Sequence, residues 1–456
     1  MLSGVLKLRQ LGSKLAVSEP ASPVIKTLIP GPSSISLLNQ YQGMSQDFKT
    51  VKFFVDYESC SGNYVADADG NLLLDTTGQD GTIPLGYNNQ ALLAQLANSN
   101  YMSNVMHRIS CHTMPTDNWP ELVKKILIPL APAGLGEVFN SCGCSSGSNE
   151  NALKSASIWY YKNKYGENYT PEQLASALKG KPPGVPDFAF VRLAGSYHSN
   201  LIGLGKETKY TPKLNMLWAP FPNRQYPQPN PSEESKALEE TQKLFKTHQN
   251  ICAFIIEPIL SKGTYYATSK YYQELAKIVK ENHAALIIDE TFTGYGGSGK
   301  TWAFEHWEIN PDILVYGGRT QISGYFMKPE FRPPQGYQIS NTWCGDPLRL
   351  EQFKAIKAVV ETQDLIEKTK NVGDYFYKKL ANLLESKKGI SGLRGLGLHI
   401  AFDFESKDKA WKFVGDMLGK GVFVNVVNEK TVQITPALVF NKQHVDVFVE
   451  AAESCL

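Results

Sequence analysis

Between about Gly134 and Tyr325, short apolar runs alternate with helical segments, and this alternation constrains the chain more than any other feature. The runs are Glu137–Asn140, Phe188–Arg192, Ile251–Ile256, Ala284–Ile288 and Ile313–Tyr316, with helical stretches such as Glu150–Lys162 and Tyr271–Glu281 between them. Strands separated by helices pair in parallel, and a parallel sheet is covered on both faces. Such sheets bind ligands beyond the carboxyl ends of their strands. The residues that follow each run are therefore the candidates for a site.

The flanking segments have a different texture. Pro20 to Ser34 is rich in Pro, Ser and Gly and reads as an extended linker. Asn63 to Asp75 places two strand-like runs around Asp69-Gly70-Asn71, a hairpin signal. Lys206 to Glu234 is Pro-rich, with little regular structure expected, and Ser232-Glu233-Glu234 reads as the cap of the next helix. Beyond Asn341 the pattern becomes a helical stretch over 347–387, strands at Gly395–Glu405, Val422–Val427 and Thr431–Ile434, and a closing helix over Asn441–Ser454. The division expected is an arm (1–35), the N-terminal part of a small domain (36–100), a large domain (101–340) and the C-terminal part of the small domain (341–456).

Composition narrows the function classes. With 456 residues, 42% hydrophobic, and a formal net charge of +2, the chain can build a large core and carries no global basic excess for nucleic acid. No apolar run reaches the length of a membrane span. The seven cysteines are odd in number and irregular in spacing, which points to reduced thiols rather than a disulfide framework. The first eighteen residues carry Lys7, Arg9 and Lys14, no acid before Glu19, and leucines at roughly helical spacing. That is the composition of a mitochondrial transit segment, so the expected location is the mitochondrial matrix.

Asn140-Ser-Cys-Gly-Cys-Ser-Ser-Gly-Ser-Asn149 follows a strand and opens a helix, where small residues let backbone N–H groups approach a phosphate. Leu286-Ile-Ile-Asp289-Glu290 ends a strand in two acids; such an Asp can pair with a pyridinium nitrogen, ligate magnesium or cap a helix. Ile256-Glu257-Pro258, Gly299-Lys300, Trp302-Ala-Phe-Glu-His-Trp307, Lys328-Pro-Glu-Phe-Arg-Pro333 and Asn341-Thr-Trp-Cys-Gly-Asp-Pro347 follow in one order. From about Phe53 onward this resembles the 4-aminobutyrate (GABA) aminotransferases, of the class III, pyridoxal-phosphate-dependent aminotransferase family. The resemblance implies fold type I, an α/β large domain with a mostly parallel sheet plus a smaller α+β domain formed by both chain ends. It places Ser145 and Ser146 at the cofactor phosphate, Tyr197 against the pyridine ring and Asp289 at the ring nitrogen. Thr342 falls where a hydroxyl reaches the neighbouring subunit's phosphate, which implies a homodimer or a heterodimer with a related chain. Glu257 is also kept.

The same comparison exposes departures. The family's Schiff-base lysine falls at Gly318, with Asp312 and Gly324-Tyr-Phe fixing the register. Glycine offers neither an imine anchor nor a proton carrier. The neighbouring Arg319 stays protonated and is a poor nucleophile. The substrate-carboxylate arginine is replaced by Asn200, an acidic substrate-facing residue by Lys262, and a cofactor-side Gln by Phe292. The arginine near the C-terminal strand falls at Gln433 or Thr435. Cys144 has no partner cysteine where Gly147 stands. The principal expectation is a catalytically inactive member kept as a structural or accessory subunit of a mitochondrial assembly, with no cofactor held covalently. A second reading is an active transaminase that uses Lys262. A third is a module that holds pyridoxal phosphate or another anion without a covalent bond.

Overall fold

The computed structural model describes residues 18–44, 48–141, 144–201, 204, 215–222, 226 and 228–456. All but the last residue of the basic N-terminal segment lies outside them. The strands in chain order are β1 (Tyr64–Ala66), β2 (Leu72–Asp75), β3 (Glu137–Ser141), β4 (Ala189–Leu193), β5 (Met216–Ala219), β6 (Ile251–Ile256), β7 (Ala285–Glu290), β8 (Ile313–Tyr316), β9 (Ser323–Met327), β10 (Ile390–Leu396), β11 (His399–Phe404), β12 (Val422–Phe423), β13 (Asn425–Val427) and β14 (Thr431–Ile434). Four helices matter most: α1 (Ser145–Tyr165), α2 (Ser269–Glu281), α3 (Leu365–Leu384) and α4 (Lys442–Cys455).

Seven strands form the central sheet in the order β3-β9-β8-β7-β6-β4-β5. All neighbours are parallel except those of β9, which pairs antiparallel with both β3 and β8. Strand alternation divides the interior into two layers. Ala253, Ile255, Ala285, Ile287, Ile313 and Val315 pack with Ala152, Leu153 and Ala156 of α1. Phe254, Ile256, Leu286, Ile288 and Leu314 pack with Tyr272, Leu275 and Val279 of α2 on the opposite face. The same parity carries past the apolar part of β7. Asp289 follows Ile287 to the α1 side, and Glu290 follows Ile288 to the other.

The stretch Lys206–Glu234 departs from the sequence expectation in two respects. Lys206–Glu234 contains a strand, β5, which runs parallel to β4 at the sheet edge with Phe190 opposite Met216. Partnership with β4 satisfies its backbone groups, a tertiary effect that local composition does not announce. The helix that follows starts at Pro231 and is capped by Asn230, whose side chain accepts from the Glu233 N–H, not by the Ser232-Glu233-Glu234 run.

The small domain draws on both chain ends, as the resemblance implied. The antiparallel sheet β10-β11-β14-β13 carries α3 and α4 over a core of Phe376, Leu380, Ile400, Phe402, Val432 and Phe448. In the other sheet, β1 and β2 make the hairpin around Gly70, and β12 joins β2 in parallel. The stretch from Glu19 is tied down by side chains of that hairpin region. Glu19 accepts from the Asn63 N–H at 2.6 Å and lies 3.1 Å from His444 Nε2, while Asn71 Oδ1 accepts from the N–H groups of Lys26 and Thr27. Among the described residues no cysteine forms a disulfide, and no helix is long and apolar enough to cross a membrane.

Arg394 staples the two domains together. Its fully buried guanidinium pairs with both oxygens of Asp403 at 2.9 and 3.0 Å, and its Nε donates to the Gly263 carbonyl of the large domain at 2.7 Å. Removing one member of such a pair leaves the other's charge unpartnered. Arg394→Ala is expected to lower unfolding stability by roughly 3 kcal/mol, read by denaturant titration. Burial also pushes the Glu290 carboxyl up to about 7, despite hydrogen bonds from Thr293 and the Phe304 N–H. A carboxyl whose folded value lies above its unfolded one binds its proton more tightly in the native state, so its contribution is lost as pH rises through the folded value. Between pH 4.5 and 7 the native chain is expected to lose on the order of 3 kcal/mol that the Glu290→Gln variant retains.

Candidate active site

The candidate residues gather at the carboxyl edge of the sheet. Asp289, at the end of β7, is buried on the α1 side and needs partners for both oxygens. Oδ2 lies 2.7 Å from His198 Nδ1 and accepts from Asn149 Nδ2 of α1 at 2.8 Å, while Oδ1 accepts from the Thr291 N–H at 3.0 Å. The Asn149 amide also donates to the His198 carbonyl at 2.8 Å, which locks helix, loop and strand end together. Asn149 sits inside the motif quoted from the sequence, yet its grip on Asp289 could be recognised only in three dimensions.

Glu257, one residue past β6, does the same for the next loop. Its Oε2 accepts from the Tyr197 N–H at 2.8 Å and its Oε1 from the Ser261 N–H at 3.2 Å. Burial pushes this carboxyl up to about 7, against the pull of His198. Tyr197, which it positions, is 39% exposed. Lys262 Nζ lies over that ring, 5.0 Å from its centroid, and Asn428 donates to the Lys262 carbonyl.

Ser145 and Ser146 open α1, whose N-cap Cys144 makes no side-chain capping bond. The first turn of a long helix favours an anion. Gly317 faces it closely: a Cβ there would stand 2.2 Å from Ser145 Oγ. Gly318 begins a short 3₁₀ turn at φ +57°, and a Cβ there would stand 2.3 Å from the Thr291 carbonyl oxygen. Backbone cannot yield as a side-chain tip can, and a positive φ disfavours any side chain.

The structure also locates the remaining predicted positions. Phe292 stacks obliquely on His399, with ring centroids 4.9 Å apart. Gln433 and Thr435 are buried and structural. Gln433 donates to the Ser261 carbonyl and Thr264, and Thr435 to the Thr77 carbonyl. Asn200 and Thr342 are exposed, and the Thr342 loop is held beside the end of β3 by the Gly345 N–H on the Asn140 carbonyl at 2.9 Å. The cluster thus joins Ser145, Tyr197, Glu257, Asp289, Gly318 and Lys262, while Asn200 and Thr342 lie at its outer surface.

Tested against this geometry, the groups that would receive a phosphate and a ring nitrogen fit pyridoxal phosphate. The orphaned buried atoms His198 Nε2 and Asn149 Oδ1 mark the same place as polar. Position 318 supplies no amine.

Residues 45–456 match the model of the class III aminotransferases. The 4-aminobutyrate aminotransferase of Emericella nidulans is 33% identical over 96% of this chain and 92% of its own length. The human mitochondrial 4-aminobutyrate aminotransferase is 30% identical over 98% of this chain and 94% of its own. Among solved structures, a lysine aminotransferase from M. tuberculosis in the internal aldimine form superposes with a TM-score of 0.80. It is 21% identical, over 92% of this chain and 98% of that one. The family match and the 4-aminobutyrate aminotransferases overturn the expectation of no covalently held cofactor, since class III aminotransferases normally work with pyridoxal phosphate. Glycine at position 318 bears on the imine alone, while the opening of α1, Tyr197 and Asp289 stand around it. With its family model, its near full-length relatives and its sheet in agreement, the chain belongs to the class III aminotransferases.

Proposed function

We propose that this chain is a 4-aminobutyrate-aminotransferase-like protein that has lost transamination and serves as a structural or accessory subunit of a mitochondrial assembly. The observation that carries the reading is the backbone at Gly318, where a left-handed φ and the Thr291 carbonyl leave no place for a side chain. Transamination moves a proton between substrate and cofactor carbons. General acid–base transfer of that kind contributes roughly 10²–10⁴-fold, and Gly318 carries nothing to perform it. The basic N-terminal segment and the names of the mammalian relatives support the mitochondrial location. The exposed Thr342 loop supports association with a second copy or a related chain.

One observation favours a second reading. Lys262 Nζ lies over the Tyr197 ring, inside reach of the face a cofactor ring would cover. A lysine there could supply the amine that position 318 lacks, with Glu257 holding the loop between them.

Two experiments separate these readings. Purified chain with saturating pyridoxal phosphate, 4-aminobutyrate and 2-oxoglutarate is expected to form no glutamate above the protein-free rate. Turnover near the usual enzyme range of about 1–10³ s⁻¹ would sink the proposal. Turnover abolished by Lys262→Ala, with borohydride reduction labelling Lys262, would establish the second reading. Gly318→Lys is expected to restore no turnover and to cost about 1–3 kcal/mol of stability in thermal unfolding. A gain of activity in that variant would show that the turn relaxes more than its geometry implies.

A further inference from the structure

The helices α1 and α2 end at the amino edge of the central sheet, opposite the candidate active site. At that edge Asn250 immediately precedes β6, and His283 stands two residues before β7. Trp159, Tyr160, Asn163 and Lys164 from the carboxyl half of α1, with His283 from just beyond α2, line a cleft of about 440 Å³. That volume falls among those of small-molecule sites, about 300–1,000 Å³. The cleft shares no residue with the candidate active site.

Its walls are fixed, and two separate features mark it. The Trp159 ring stacks on Phe331 with centroids 4.5 Å apart, and Tyr160 packs edge-on against Phe188 at 5.9 Å. The first feature is the charge. A lysine in the last turn of a helix ordinarily complements the helix dipole. Lys164 instead reaches across to the loop before β6, where its Nζ donates to Asn250 Oδ1 at 2.5 Å and to the Tyr160 hydroxyl at 3.5 Å. Both partners are neutral, and among the described residues no acid lines the cleft. The second feature is backbone strain. The His283 N–H bonds to the Lys280 carbonyl at 3.1 Å and closes α2 at φ +55°, a left-handed position that glycine ordinarily fills. A side chain is disfavoured there, so an imidazole kept at that point and lining a cleft suggests a use for the ring.

We infer that this cleft is a binding site for a flat aromatic carboxylate. The ring lies against Trp159 and Tyr160, the carboxylate meets the Lys164 ammonium, and Asn163 and His283 add hydrogen bonds at the rim. An aromatic wall supplies contact area, and a charge-assisted hydrogen bond fixes the orientation. The inference stands whether or not the chain transaminates, because the two sites lie at opposite edges of the sheet.

The test titrates the full chain by calorimetry, with pyridoxal phosphate present throughout to keep the other pocket occupied. The probes are indole-3-acetate, its neutral amide indole-3-acetamide, and acetate. Indole-3-acetate is expected to bind saturably, with the amide and acetate each weaker by about tenfold or more. Lys164→Met should weaken indole-3-acetate by a similar factor, about tenfold, while Lys164→Arg keeps most of the affinity. His283→Gly separates a ligand contact from a structural one. Glycine suits the left-handed turn, so the thermal midpoint of that variant should hold or rise while its affinity for indole-3-acetate falls. No saturable binding, equal binding of the acid and the amide, or an affinity untouched by Lys164→Met would each overturn the inference.

Discussion

A carboxylate buried at the end of the middle strand of a parallel sheet must find a donor for each oxygen, and Asp289 meets that demand from three separate segments. Asn149 comes from α1, His198 from the loop after β4, and the Thr291 N–H from the turn that leaves β7. Losing any one donor leaves a buried charge under-solvated, at a cost of about 1–3 kcal/mol. The carboxylate therefore sets the relative positions of helix, loop and turn. Glu257 repeats the arrangement one strand over, with the Tyr197 and Ser261 N–H groups. These walls are held by hydrogen bonds to two buried carboxylates and need no catalytic side chain to keep their shape. A chain can lose the chemistry at position 318 and keep the pocket.

Much of this was legible in the sequence. The apolar runs at Ile251–Ile256 and Ile313–Tyr316 are strands with those same limits, because continuous apolar stretches buried on both faces leave little ambiguity. Asp289 and Glu290 stood out as acids ending such a run. The strand Met216–Ala219 did not, since it lies at the sheet edge among prolines and takes its order from β4. Within Gly395–Glu405 the chain is not one strand: β10 starts at Ile390 and turns at Gly397 into β11, and an irregularity between Ser391 and Arg394 blurs the period-two signal. Nothing in the sequence marks Arg319 as buried. Its burial depends on Gly81 and Gly297, each distant along the chain, and on a left-handed turn that includes two ordinary residues.

The cofactor expectation went astray for a related reason. It gave the single lysine position authority over the whole pocket, while the helix N-terminus, the ring-bearing Tyr197 and the gripped Asp289 are separate structures with separate physical causes. Family membership speaks for the pocket, and residue 318 speaks only for the amine.

The obstruction at Gly318 is tied to the interaction on which the pocket depends. The carbonyl that would meet a Cβ at residue 318 belongs to Thr291, and the N–H of that same residue is the donor to Asp289 Oδ1. Moving Thr291 aside to admit a side chain would pull its N–H from a buried carboxylate, and the adjoining Phe292 carbonyl would lose the Arg319 guanidinium. Asp289, Thr291, Phe292, Arg319 and Gly318 thus form one mechanical unit. Within it, glycine at position 318 is the residue that lets every buried charge nearby keep its hydrogen bonds.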